Sequence, residues 1–362
     1  MSEMITPPAM IGILGGGPTV GYFERAAQRM GFRTLVLDPS TATRTLRQAA
    51  SACSVITTVD LLPTTAMRKL SAKSRLCPSA EVVELCTDRL AAKRFLHDLG
   101  VAVGPFMTIE SADDIDDAAD SRFPAILKSR LHGNGRSNQV RVANHDQLAA
   151  AWQTLAMQPC VLEQRLTVGR ELALVVARTA DGRVACFPVS QQQYIRGVLE
   201  ISYAPASLMT GAHDEAAALA EYIATELGLV GVLAVHMFVV GHDVYVHELT
   251  PRPCALGLFT LDACRTDQYE QQVRAVCGLA LGEASMVVPG VAVVGLGSEL
   301  WATGEPQWKH ILVDPTARLH RYEVQVTGDW HQSTMGHLAA CSGTAAGSTS
   351  VVRKLRKQLT GR

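Results

Sequence analysis

The feature that most restricts how this chain can fold lies at its start, where "MIGILGGG" is an apolar strand running straight into glycines. "TVGYFERAAQRMG" follows with helical spacing and stops at Gly31, and "RTLVLDP" is a second strand ended by Asp38-Pro39. Strand, glycine turn, helix and strand in that order open a doubly wound sheet. Glycines at such a turn let the backbone approach a phosphate or substrate at the helix N-terminus, which makes Gly16 and Gly17 candidate substrate contacts. As a dinucleotide fingerprint the match is imperfect, because Val20 fills the third glycine slot and Gly21 comes one residue late. A tight strand-to-helix turn explains the same residues without any ligand.

Beyond this small α/β opening the pattern changes. "CTDRLAAKRFLHDLG" reads as a helix with Asp88 near its start and Gly100 as its stop. "FPAILKSRLHGNGRSNQVRV" reads as two strands joined by a glycine-containing loop, and "RELALVVARTADGRVACFPV" as strands around a hairpin turn. "HDEAAALAEYIATELG" is an amphipathic helix, "VGVLAVHMFVVGHDVYVHEL" a second hairpin, and "CRTDQYEQQVRAVCG" helical again. From about residue 290 come short β segments and a basic tail, "SVVRKLRKQLTGR", expected to be a solvated helical face. The expected division is 1–87, an α/β domain; 88–290, a larger α+β domain with a lid at about 107–175; and 291–362, a β-rich end.

The 362 residues suffice for two or three such domains, and the net charge of −1 gives no field that would draw the chain to nucleic acid or a membrane. Nine scattered cysteines without a C-x-x-C pair predict reduced thiols rather than a disulfide framework or zinc cage. No charged-then-apolar leader opens the sequence, and its longest apolar run is too short to span a bilayer. The expectation is a cytoplasmic protein acting on small molecules.

Chemistry concentrates in two places. Lys128 follows the apolar "PAIL" and precedes Gly133, Asn134 and Gly135, a lysine beside a glycine loop that suits nucleotide phosphates. Glu163 and Glu171 follow as acceptors for an amine or ribose hydroxyls, although glutamates and lysines on a surface are usually just solvated. The second place is the hairpin. A three-residue loop would set His236 across from Glu248, whereas a two-residue loop would set it across from His247. Magnesium prefers oxygen ligands, so His236 reads equally as a satisfied sheet histidine. Arg252, held between Pro251 and Pro253, suits a transferring phosphoryl group or a structural salt bridge. Cys254 has no activating His–Asp arrangement nearby and reads as a small buried residue.

Taken together, "IGILGGG", "LDP", "DRLAAKRFL", "ILKSR", "RELALVVAR", "GVLAVHMFV", "HELTPRP", "TLDACRTDQYEQQVRAVCGLALG" and "MGH" resemble N5-carboxyaminoimidazole ribonucleotide synthetase, an ATP-grasp ligase of purine biosynthesis, over nearly the whole chain. The resemblance implies an ATP-grasp fold with a Rossmann-like N-terminal domain, a lid over ATP and a small β-rich C-terminal region. It also implies use of ATP and Mg2+ to activate bicarbonate as carboxyphosphate, carboxylation of the amine of aminoimidazole ribonucleotide, and a homodimer. Carried over by motif, Arg89 and Lys128 would contact ATP phosphates, with Gly133 and Gly135 in the lid loop, and Glu163 and Glu171 would hold the adenosine. Glu248 and His236 would face the metal, and Arg252 and Asn134 the substrate.

The departures cluster on the acceptor side. His236 stands for a glutamate, His247 for an asparagine, and Cys254, Ala255, Leu256, Gly257 and Leu258 for His-Asn-Ser-Gly-His. "PVSQQQYIRG" has glutamines where the family has Glu-Asn, and the opening domain lacks about twenty residues of the family's length. "YEVQVTGDWHQST" has no Lys or Arg where the family holds the ribonucleotide phosphate. A charge-assisted hydrogen bond contributes about 1.5–3 kcal/mol, so losing two or three weakens such binding by several orders of magnitude. The leading expectation is therefore an ATP-dependent ligase that passes an acyl or carboxy phosphate to a non-purine amine. Alternatives are the purine enzyme itself, a non-catalytic nucleotide-binding relative, and a nicotinamide oxidoreductase.

Overall fold

In the computed structural model of the chain, residues 4–17, 19–59, 64–71, 74–131, 138–195, 198–209, 211–301, 304–322 and 334–359 are described. Two compact units form: Met1–Ala80 with Leu172–Ala234 and Pro251–Arg362, and Glu81–Glu171 with Val235–Thr250. The ends of these segments do not coincide with the sequence boundaries at 87/88 and 290/291.

The first unit opens on β1 (Met10–Leu14), paired in parallel with β2 (Arg33–Leu37) and β3 (Val55–Thr58) in the order β2-β1-β3. The helix Val20–Arg29 lays Phe23, Ala26 and Ala27 on a core with Ile11, Ile13 and Val55. Gly15 and Gly17 turn the chain out of β1 at φ +105° and +99°, backbone that side chains rarely adopt. The doubly wound start expected from the sequence is present.

The second unit carries the helix expected after Asp88, Arg89–Asp98, and a further helix, Ala80–Thr87, leads into it. Asp88 is extended and its carboxylate accepts from the amides of Leu90 and Ala91, capping the helix Arg89–Asp98. β4 (Phe106–Ile109), β5 (Ala125–Ser129), β6 (Gln139–Val142) and β7 (Cys160–Gln164) form an antiparallel sheet in the order β4-β7-β5-β6. Leu127, Leu162 and Ile109 pack beneath it with Leu148 and Ala151 of the helix Leu148–Thr154.

A longer sheet begins with β8 (Arg170–Arg178), β9 (Val184–Cys186), β10 (Ser190–Ile195) and β11 (Val198–Ala204). It continues through β12 (Gly231–Val240), β13 (Asp243–Thr250), β14 (Gly290–Gly297), β15 (Ala317–Arg321) and β16 (Thr334–Ser342). In the first unit the hydrogen-bonded order is β12-β8-β10-β11-β14-β16-β15, with β9 on β8. In the second unit β12 pairs with β13. The basic tail is the helix Ala345–Leu359, which buries Val352, Leu355 and Leu359 against Val294, Leu296 and Leu338 and leaves Arg353, Lys354 and Lys357 exposed. All nine cysteines are free thiols, and among the described residues no helix is long and apolar enough to cross a membrane.

Candidate active site

The register of β5 on β7 sets Ile126 opposite Glu163 and Lys128 opposite Val161, so Lys128 and Glu163 leave the same face as diagonal neighbours. Their side chains meet, Lys128 Nζ donating to Glu163 Oε2 at 3.2 Å. A second lysine converges on the same oxygen. Lys93, one turn after Arg89 on the helix Arg89–Asp98, lies 3.5 Å from Glu163 Oε2 and over the Phe106 ring at 5.6 Å. Phe106 is itself the cross-strand partner of Glu163 on β4. Both lysines are 4% exposed and Glu163 is 9% exposed. Burial pushes the Glu163 carboxyl up, but Lys128 and Lys93 outweigh it and hold the group below the usual carboxylate range. Burial also depresses the Lys93 ammonium, which Glu163 offsets only in part.

The hairpin supplies the other wall. β12 ends at Val240 and β13 begins at Asp243, leaving the two-residue turn Gly241-His242 with Gly241 at φ +64°. Of the two registers open from sequence, this is the one that sets His236 against His247, and their rings meet edge to face at 5.3 Å. His236 is thus not set across from Glu248, and its Nε2 lies 3.3 Å from Glu171 Oε2 at the start of β8. His247 stacks on Phe238 at 4.2 Å, and its Nε2 lies 3.4 Å from Lys128 Nζ and 3.7 Å from Glu248 Oε1. Since an ammonium only donates, Nε2 is the acceptor and the ring proton sits on Nδ1, 3.8 Å from Glu163 Oε2. Burial, then Lys128, push the His247 imidazole well below its ordinary range. Lys128 completes the cluster at 3.8 Å from Glu248 Oε1.

The structure thus brings together Lys128, Glu163, Glu248, His236 and Glu171 of the residues singled out from sequence. Arg89 is turned to the backbone, its Nη1 donating to the Ser129 carbonyl at 2.7 Å. Arg252 is the second residue of the other unit's last segment, where its Nη1 donates to the Pro253 carbonyl at 3.3 Å. Gly16 and Gly17 are exposed at the end of β1, also in that unit. Gly133, Asn134 and Gly135 lie outside the described residues. Sequence reasoning missed Lys93. Its signal was the four-residue spacing from Arg89, which puts both cations on one helix face.

A buried ammonium bordered by carboxylates about one-third exposed (Glu248 33%, Glu171 29%) suits a nucleotide with its metal. Lys128 supplies positive charge for phosphate, and Glu248 supplies a hard oxygen of the kind Mg2+ takes, so the residues suit both groups. The imidazole of His236 adds a nitrogen but no oxygen donor.

Comparisons with known proteins agree with this geometry. Residues 94–269 match the ATP-grasp domain family. The chain is 31% identical over 318 residues to N5-carboxyaminoimidazole ribonucleotide synthase of Bacillus subtilis, covering 82% of this chain and 84% of that one. It is also 31% identical over 315 residues to the enzyme of that name from Synechococcus elongatus, covering 81% and 79%. Among solved structures, the N5-carboxyaminoimidazole ribonucleotide synthetase of Thermus thermophilus superposes with a TM-score of 0.87 at 27% identity, covering 98% of this chain and 99% of that chain. An ADP complex of an enzyme of that name superposes with a TM-score of 0.90 at 25% identity, covering 98% of each chain.

Fold and site therefore define an ATP-grasp ligase, a carboxylate–amine ligase that uses ATP and Mg2+. Within that class, the chain belongs to the N5-carboxyaminoimidazole ribonucleotide synthase family.

Proposed function

We propose that the chain carboxylates the amine of 5-aminoimidazole ribonucleotide at the expense of ATP, acting as a cytoplasmic homodimer. The observation that carries this reading is the 31% identity over 84% of the Bacillus subtilis enzyme's length, whose name states that product. It displaces the non-purine acceptor as the leading expectation. The cluster supports it chemically. Lys128, held by Glu163 and His247, would offer its charge to a phosphoryl group. Lys93 keeps Glu163 ionised, and Glu163 in turn fixes Lys128. Glu248 would hold Mg2+, which when bound supplies further charge against the phosphates, and Glu171 would face the adenosine.

A different amine as acceptor is the second reading. It is favoured by the absence of Lys and Arg from "YEVQVTGDWHQST" and by Cys254 to Leu258 after Pro253. ADP release measured with bicarbonate and either aminoimidazole ribonucleotide or a panel of other amines separates the two. The proposal requires release that depends on the ribonucleotide; release with another amine alone overturns it.

A further inference from the structure

β15 and β16 pair antiparallel with His320 directly opposite His337, so both imidazoles stand on one face of the sheet. The strands approach closely here, because a Cβ on Gly336 would run into the His320 carbonyl. The two rings stack at 4.2 Å with 8° between their planes. From below, Asp262 on the short helix Thr260–Ala263 brings Oδ2 to 2.8 Å from His320 Nε2. A ligand atom from each of the three residues lies within 4.8 Å of the others, and among the described residues this is the one group of three His, Cys, Asp or Glu so gathered.

His337 makes the cluster more than a hydrogen-bonded pair. It is 1% exposed, its Nδ1 lies 2.9 Å from the Tyr322 hydroxyl, and its Nε2 is buried with no hydrogen-bond partner among the described residues. Buried polar atoms are nearly always satisfied, so an orphaned imidazole nitrogen calls for something to meet it. Burial, then His320, push the His337 imidazole well below its ordinary range. If Nδ1–H donates to the tyrosine oxygen, Nε2 presents a bare lone pair, the tautomer a metal takes, and Tyr322 acts as the outer partner that orients the ligand.

We propose that Asp262, His320 and His337 form a binding site for a borderline divalent ion, Zn2+ foremost, built from residues distinct from those of the candidate active site. Two imidazole nitrogens and one carboxylate oxygen are a donor set zinc accepts, with room for a fourth ligand. Bonds of about 2.0–2.1 Å to nitrogen do not form from two parallel rings. His320, the more exposed of the pair, turns out of the stack and exchanges its hydrogen bond to Asp262 for the shared ion. Entry is from a cavity of about 500 Å3 lined by Tyr22, Asp267, Leu319, His320 and Arg321 among others.

The test uses the full chain, stripped of metal and titrated with Co2+ as an optical probe, then with Zn2+ as competitor. The wild-type chain is expected to show intense visible bands of four-coordinate Co2+ that Zn2+ abolishes. His320→Asn and Asp262→Asn are expected to lose those bands, and Tyr322→Phe to keep them with affinity about tenfold weaker. Should Asp262→Asn fail to fold, the partly exposed His320→Asn decides alone, with circular dichroism as its folding control. Identical spectra for wild type and His320→Asn, or weak adventitious binding without the bands, overturn the proposal. None of these readouts depends on turnover, so the proposed carboxylation stands or falls separately.

Discussion

Glu163→Gln is the most informative substitution in the candidate site, because one oxygen, Oε2, serves Lys128 at 3.2 Å and Lys93 at 3.5 Å. Both lysines are 4% exposed, so solvent cannot take over the lost charge. Breaking a buried ion pair by removing one partner costs about 3–5 kcal/mol. Lys128 keeps Glu248 at 3.8 Å, which places the expected loss near the lower end, about 3 kcal/mol, a large share of a typical domain's stability. Urea unfolding followed by far-ultraviolet circular dichroism measures it, read as a shift of midpoint at unchanged slope. The double variant Glu163→Gln/Lys93→Met removes the stranded cation as well and should regain at least half of the loss. A single-variant loss below about 1 kcal/mol, the level of exposed ion pairs, or no rescue in the double variant, would refute the reasoning.

Other consequences can be measured directly. Lys93 has a folded-state value below its ordinary one, so between the two values the unfolded chain binds more protons; the difference in stability between wild type and Lys93→Met should shift in favour of wild type as pH rises through that alkaline window, seen by urea unfolding at several pH values. Gln272 is fully buried and bonds the Val232 amide at 2.6 Å and Thr57 Oγ1 at 2.7 Å, so Gln272→Ala should cost about 2–5 kcal/mol by unpaired groups and a cavity, with thermal unfolding as the check. Asp267 caps the helix Gln268–Val276 by accepting from the amides of Tyr269 and Glu270, and Asp267→Ala should cost about 1 kcal/mol by the same assay. Arg265 pairs with Glu283 on the surface, each about 60% exposed, and Arg265→Ala should change stability by less than about 1 kcal/mol.

Much of the local structure was legible because it depends on short-range rules. The strand–glycine–helix–strand opening, the cap at Asp88 and the stops at Gly31, Gly100 and Gly228 follow from backbone freedom and from periodicity within a few residues. The site was legible in its members but not in its geometry. Lys128, Glu163 and Glu248 were named from sequence, while the turn that sets His236 against His247 was left between two registers that composition does not distinguish. Lys93 offers only its four-residue spacing from Arg89 in the sequence, and the pairing of β4, β5 and β7 is what brings its side chain onto a buried carboxylate. The cluster of Asp262, His320 and His337 was invisible for the same reason, its members meeting through strand pairing and helix placement rather than spacing. The basic tail showed its charges but not the apolar face that seats it on β14 and β16.

The proposed function has Lys128 serve ATP-driven transfer of a carboxyl group to the ribonucleotide amine. Supplying 13C-bicarbonate, ATP, Mg2+ and 5-aminoimidazole ribonucleotide and following the carbamate carbon by NMR tests it most directly. The expected result is a labelled product matching ADP in amount, formed about 10- to 150-fold more slowly by folded Lys128→Met, the loss of one charge-assisted contact. ADP accumulating without labelled product, or equal rates for the two proteins, would contradict it.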